Sequence, residues 1–109
     1  MGLTQEDEVM DALGSQVRRT ILRRLAAGPL AVGEIATGLP VSRPAVSQHL
    51  HILENAKLVA HEKRGSRNLY RLDSSGFASA RSSLDSFWVG SLARFALVAK
   101  NTTPRRKRT

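Results

Sequence analysis

Apolar residues recur every three or four positions in four segments of the first half of the chain, which is the spacing of amphipathic helices. The predicted helices cover about residues 5–13, 16–27, 32–37 and 43–56. Ser15 and Ser42 each stand just before a helix and are predicted N-caps, whereas Gly28-Pro29 ends the second helix. Pro44 is tolerated in the first turn of the fourth helix, because the N–H that it lacks has no helical partner there.

The pattern after the fourth helix changes to that of a β-hairpin followed by one long helix. Strands are predicted over about residues 58–63 and 68–72, with Gly65 in the turn, and the last helix runs from Ser74 or Ser75 to about Ala99. This predicts a mainly α fold with a small β-hairpin in the order α-α-α-α-β-β-α. Residues 1–101 form the predicted domain, and residues 102–109, which lack apolar side chains, form a predicted disordered basic tail.

The third and fourth predicted helices, joined by a tight turn, form a helix-turn-helix with a polar outer face. Arginine can pair with guanine and glutamine with adenine in the major groove of DNA. An ordinary solvated helix surface is the alternative, but a hairpin with a basic tip follows the helix directly. We therefore predict contacts to DNA from both elements, made by Ser42, Arg43, Pro44, Ser47, Gln48, His51, Lys63, Arg64 and Arg67.

The charge of the chain supports an anionic partner in this region. The formal net charge is +8, and residues 43–71 carry six bases against two acids. Four of the nine acids lie within the first eleven residues, away from this segment. A local excess of this kind favours nucleic acid, so double-stranded DNA is the expected partner.

The last helix carries more large apolar side chains than a single domain of this size can bury. They could belong to the core, or they could form the contact surface of a homodimer, which we favour. The first helix would add to that surface. The predicted dimer residues are Val9, Met10, Leu13, Leu84, Phe87, Trp88 and Phe95.

Several kinds of site and partner are not expected. The chain has no cysteine, and His49 and His51 point about 200° apart on a helix, so they cannot chelate one ion. We expect no metal, no cofactor and no catalytic residues, since no serine stands in a recognisable nucleophile context. The apolar stretches are too short to cross a membrane and the start of the chain does not resemble a signal peptide, which predicts a cytoplasmic protein.

Residues 12–73 resemble the ArsR/SmtB family of winged-helix repressors. The most specific segments are LPVSRPAVSQHL, residues 39–50, and RGSRNLYRL, residues 64–72. The resemblance implies a dimer that pairs through its first and last helices, base contacts by Ser47 and Gln48, and hairpin contacts to the flanking DNA. It also implies repression relieved by an effector, often at the protein's own promoter.

The chain departs from this family where the metal-sensing members hold their ligands. The short helix before the recognition helix has no cysteine, and the last helix has Asp85 but no histidine. The resemblance therefore places the chain in a metal-independent branch, with a small-molecule effector left open. The expected function is a sequence-specific, homodimeric repressor at a palindromic operator. The alternative is a winged-helix module used for protein or RNA contacts.

Overall fold

The computed structural model describes residues 4–102, which form five helices and three strands. In chain order these elements are α1 (Gln5–Leu13), α2 (Gln16–Leu25), β1 (Leu30–Ala31), α3 (Val32–Ala36), α4 (Arg43–Asn55), β2 (Val59–Arg64), β3 (Arg67–Leu72) and α5 (Ser74–Thr102). The helices, the hairpin and their order agree with the sequence prediction. Strand β1 was not predicted.

The starts of the helices follow from side-chain caps that can be recognised in the sequence. Ser15 Oγ accepts the backbone N–H of Arg18 at 3.2 Å, and Ser42 Oγ accepts that of Ala45 at 3.2 Å. Both predicted N-caps are thereby confirmed. Thr4 caps α1 in the same way and exchanges hydrogen bonds with Asp7, so the first helix begins with a capping box.

The sheet has three antiparallel strands in the order β1-β3-β2, rather than the two that the sequence predicted. Leu30 pairs with Tyr70 and Ala31 with Leu69, so the short strand β1 joins the edge of the hairpin. The hairpin closes at Arg64 and Arg67 around a two-residue loop. Gly65 has a φ of 63°, which glycine adopts without strain at the first central position of such a turn.

The core lies where α1, α2, α3, α4 and the start of β2 meet. Its largest fully buried side chains are Val9, Ile21, Ile35, Val46, Leu50, Leu53, Leu58 and Val59. The predicted inner stripe of α4 is therefore confirmed. The placement of Val9 is corrected, since it is 1% exposed in the single chain and lies in the core. Almost none of its surface is left for a second copy.

Helix α5 continues past the predicted end near residue 99 and includes Thr102, with which the predicted tail began. The rest of that tail, residues 103–109, lies outside the described residues. The first half of α5 packs against α1, where Ala80 is buried and Ser83 Oγ donates to Glu6 Oε2 at 2.9 Å. The second half carries a series of exposed apolar side chains, which belong to the surface considered below.

Gly76 marks the point where α5 crosses the turn between α4 and β2. Its N–H donates to the Lys57 carbonyl at 2.8 Å, and a Cβ built on it would lie 2.5 Å from that oxygen and 2.8 Å from the carbonyl carbon. Because the obstacle is backbone, it cannot turn aside as a flexible side chain would. Only glycine allows this approach.

We expect Gly76→Ala to lower the free energy of unfolding by about 1–3 kcal/mol, the usual cost of overpacking. Gly90→Ala is the matched control in the same helix, because nothing lies within 4 Å of a Cβ there. That substitution should stabilise the chain by up to about 1 kcal/mol through helix propensity. Thermal melts of both variants would decide, and equal melting temperatures would contradict the crossing geometry.

Candidate nucleic-acid interface

The outer face of α4 presents the predicted base-contacting residues together. Ser42, Arg43, Pro44, Ser47, Gln48 and His51 are all exposed. The five that lie within the helix share an arc of about 140° at 100° per residue, while the buried residues of α4 occupy a separate arc of about 60°. The structure thus brings these residues onto one accessible face. Whether they contact bases stays a prediction.

His49 lies between this face and the core, and it contacts α2. Its Nδ1 lies 3.3 Å from Arg18 Nη1. Desolvation lowers the pKa of His49 below its ordinary value, and the adjacent guanidinium lowers it further. The neutral imidazole is therefore the favoured form. The structure thus shows His49 packed against Arg18 of α2.

Three of the four arginines of α2 bind backbone carbonyls at helix ends. Arg18 Nε donates to the Ala12 carbonyl at 2.8 Å, and Arg19 Nη1 donates to that of Leu13 at 2.6 Å. Arg24 Nη1 donates to the Ile35 carbonyl at 2.7 Å. These groups satisfy carbonyls that a helix end leaves without partners. Their charge stabilises the fold rather than forming a free basic surface.

The two arginines at the hairpin tip each form an ion pair with a glutamate carboxylate. Arg64 Nε lies 2.7 Å from Glu62 Oε2 within the hairpin, whereas Arg67 Nη2 lies 2.9 Å from Glu34 Oε1 on α3. Lys63, the third basic residue predicted here, is exposed. Glu34 was not among the predicted site residues, because its partner lies 33 positions away and no local pattern joins them. The ion pair connects the hairpin to the helix-turn-helix.

A second contact joins the far end of α4 to the sheet. His61 Nδ1 lies 2.7 Å from Glu54 Oε2, and the His61 ring packs against Tyr70 with their centroids 5.1 Å apart. Burial raises the pKa of Tyr70, and the Glu54 carboxylate adds to that rise. Two ion pairs thus connect the hairpin to the helix-turn-helix. Arg67 pairs with Glu34 on α3, and His61 pairs with Glu54 on α4.

An open groove of about 600 Å³ lies between α3, the start of α4 and the hairpin tip. Arg43, Arg67 and Glu34 all lie on its walls. The Arg43 guanidinium lies over Gly33, so closely that a Cβ at that position would overlap Nη2 and lie 3.1 Å from Cζ. We call this space the α3 groove. Here a helix cation and a hairpin cation that are predicted to meet DNA line the same surface.

Residues 4–102 contain no group of three or more histidine, aspartate or glutamate side chains that could hold a metal ion. Within the same residues, no helix is long and apolar enough to cross a membrane.

Residues 15–61, from the cap of α2 to the second strand, match the model of the bacterial regulatory protein arsR family. The HTH-type transcriptional regulator Rv2034 of Mycobacterium tuberculosis is 52% identical over 90 residues, which cover 83% of this chain and 84% of that protein. The chain belongs to the arsR family. It is accordingly a DNA-binding transcriptional regulator and not an enzyme, as the sequence predicted.

Two further comparisons describe this arsR-family regulator. The transcriptional repressor SdpR of Bacillus subtilis is 33% identical over 62% of this chain and 74% of that protein. A homodimeric winged helix-turn-helix DNA-binding domain from Mycobacterium bovis superposes with a TM-score of 0.61 at 27% identity, covering 95% of this chain and 88% of that domain. The predicted winged-helix fold and the predicted family are confirmed.

Proposed function

We propose that this arsR-family regulator acts as a homodimeric repressor that binds a palindromic operator, with a small-molecule effector still to be found. The observation that carries the proposal is the apolar second half of α5. Between Phe87 and Ala99 the only charged residue is Arg94. A helix that is apolar nearly all round is normally buried, and soluble monomers rarely expose an apolar patch of this extent.

The exposed fractions in the single chain support a contact between two copies. Phe87 is 61% exposed, Trp88 56% and Phe95 69%, although these are among the largest apolar side chains of the chain. Met10 on α1 is 48% exposed, beside the same helix. The M. bovis domain of the same fold is a homodimer. We infer that α1 and α5 form the dimer interface here as well.

A cleft of about 390 Å³ between α1 and α5 fits this interface. Met10, Leu13, Leu84 and Trp88 line it, and most of its lining is apolar. A cleft of this size can take one or two large side chains from the second copy. Five of the predicted dimer residues thus line one cleft, namely Val9, Met10, Leu13, Leu84 and Trp88, whereas Phe87 and Phe95 lie along the exposed part of α5.

Dimerisation sets the form of the operator. Two recognition helices related by a twofold axis bind half-sites one duplex turn apart, about 34 Å, so the site is palindromic. We propose that Ser47 and Gln48 contact base edges, because they lie in the first turns of α4. Four further residues would lie at the edges of the same major groove of DNA, namely Ser42, Arg43, Pro44 and His51. Lys63, Arg64 and Arg67 would contact the flanking backbone.

Repression, rather than activation, is proposed on the likeness to a relative that is a transcriptional repressor. A bound dimer that covers a promoter, including its own, blocks access of the polymerase without any further domain. The regulator would act in the cytoplasm, where the promoter DNA of a bacterium is found.

Selection from a library of random duplexes tests the proposal. The purified protein should enrich a palindrome, and a promoter that contains it should be transcribed less when the protein is added. Single-stranded RNA of equal length serves as the competitor. Enrichment of no duplex, or equal competition by the RNA, would refute operator binding and favour the alternative of a protein- or RNA-binding module.

A further inference from the structure

The α3 groove brings two cations and one anion to the same surface. Arg43 comes from the recognition helix, Arg67 from the hairpin and Glu34 from the short helix between them in the fold. The Glu34 carboxylate accepts a hydrogen bond from Arg67 at 2.9 Å and another from the Ala31 N–H at 2.8 Å. The anion is thereby held at the groove from two sides.

We propose that the α3 groove receives a backbone phosphate of bound DNA, and that the Glu34 carboxylate takes the place of this phosphate in the free protein. The inference rests on the proposed function, because it assumes that α4 and the hairpin face the same duplex. In that arrangement the space between a recognition helix and its wing faces the sugar-phosphate backbone.

The chemistry of the two anions makes the exchange possible. A guanidinium binds carboxylate and phosphate oxygens by the same charge-assisted hydrogen bonds, so Arg67 can pass from one to the other. The side chains of Arg67 and Glu34 are 57% and 52% exposed, and exposed ion pairs contribute little stability. The pair can therefore open at small cost when DNA approaches.

Gly33 leaves room for the second cation at the groove. The Arg43 guanidinium lies over the backbone of Gly33, in space that the Cβ of any other residue would take. The guanidinium of Arg43 therefore lies beside α3 in this structure. A phosphate that displaces Glu34 from Arg67 would meet Arg43 on the other wall.

Glu34 lowers the affinity for duplex DNA of any sequence in this arrangement. DNA must break the internal ion pair, and the released carboxylate then lies near a like-charged phosphate. The released carboxylate also takes up a cation from solution, which offsets the cation that the phosphate releases. The salt dependence of binding is therefore shallower than the number of arginine contacts alone would give.

Glu34→Gln is the direct test, because the amide keeps an oxygen for the Ala31 N–H but loses the charge. We expect this variant to bind both the selected palindrome and a scrambled duplex several-fold more tightly at low salt. The slope of log affinity against log salt should steepen by about 0.9, the value for one phosphate contact. Fluorescence anisotropy across a salt series measures both quantities.

Two further variants separate the groove from a general effect of charge. Glu8→Gln makes the same change of net charge on α1, away from the groove, and should leave the slope unchanged. In an Arg67→Gln background, Glu34→Gln should give no gain, because the arginine that it would release is absent. Circular dichroism confirms that each variant is folded.

Weaker binding by Glu34→Gln would overturn the proposal, because it would mean that the ion pair orders the hairpin for DNA. An equal gain from Glu34→Gln in the Arg67→Gln background would also overturn it, as would an equal gain from Glu8→Gln. If the unaltered protein enriches a palindrome but Glu34→Gln leaves the salt slope unchanged, the groove proposal alone fails. If no duplex is enriched, the proposed function itself fails.

Discussion

The double variant Trp88→Glu, Phe95→Glu is expected to sediment as a monomer of 11.9 kDa at micromolar concentration. Both side chains are more than half exposed in the single chain, so the core does not depend on them. Carboxylates at these positions would have to be buried without partners in a dimer, at a cost of several kcal/mol each. The variant should therefore stay folded but no longer form a dimer.

Loss of the dimer should weaken operator binding by at least about 100-fold, because the second half-site then no longer binds as part of one molecule. Binding to a single half-site should change much less. Mobility shifts on whole and half operators, together with sedimentation, measure the two effects separately. The double variant also removes two units of net positive charge, which would weaken DNA binding by itself.

The control for this charge is Ser82→Glu, Ser86→Glu. Both serines are exposed on α5, and they lie about 120–180° around the helix from Trp88 and Phe95. This control should remain dimeric and should lose only the share of affinity that two added negative charges explain. A double aromatic variant that stays dimeric, or a monomer that keeps full operator affinity, would contradict the proposed interface.

The elements that sequence reasoning found correctly are those fixed by neighbours in the chain. Ser15, Ser42 and Gly65 each act through a contact or a dihedral angle within a few residues, and their roles can be seen in a short window. The buried stripe of α4 likewise follows from helical spacing alone. Strand β1 was not predicted, because its two residues, Leu30 and Ala31, are too few to show an alternating pattern.

The errors at the candidate site concern side chains whose partners lie on another element. No local pattern shows the partners of Arg18 and Arg24, of which the first binds a carbonyl at the end of α1 and the second binds carbonyls of α3 and its turn. The contact of Glu34 with the hairpin likewise depends on how the sheet folds back. Val9 fits the apolar face of α1 equally well as core or as interface, and only packing decides.

These differences change where the basic character of the chain acts. Part of the basic charge of the chain acts within the fold, because three of the α2 arginines bind backbone carbonyls. The exposed face of α4 and the hairpin tip carry Arg43, Lys63, Arg64 and Arg67 among the exposed cations of the described residues. That division leads to separate expectations for base contacts and backbone contacts.

Gln48→Ala is expected to cost about 1–3 kcal/mol on the selected operator and much less on a scrambled duplex. Gln48 is exposed in the first turns of α4, where a recognition helix meets base edges. Asn55→Ala is the matched control, since Asn55 is an exposed amide near the same face about two turns further along the helix. It lies beyond the reach expected for base contacts and should leave both affinities unchanged.

Arg64→Gln should behave in the opposite way, because a hairpin tip lies beside phosphates rather than bases. It should weaken operator and scrambled duplexes alike and flatten the slope of log affinity against log salt by about 0.9. The pair with Glu62 lies within the hairpin, so this change does not disturb the contact with α3. If Gln48→Ala weakened both duplexes equally while Arg64→Gln affected the operator alone, the assigned roles of the helix and the hairpin would be reversed.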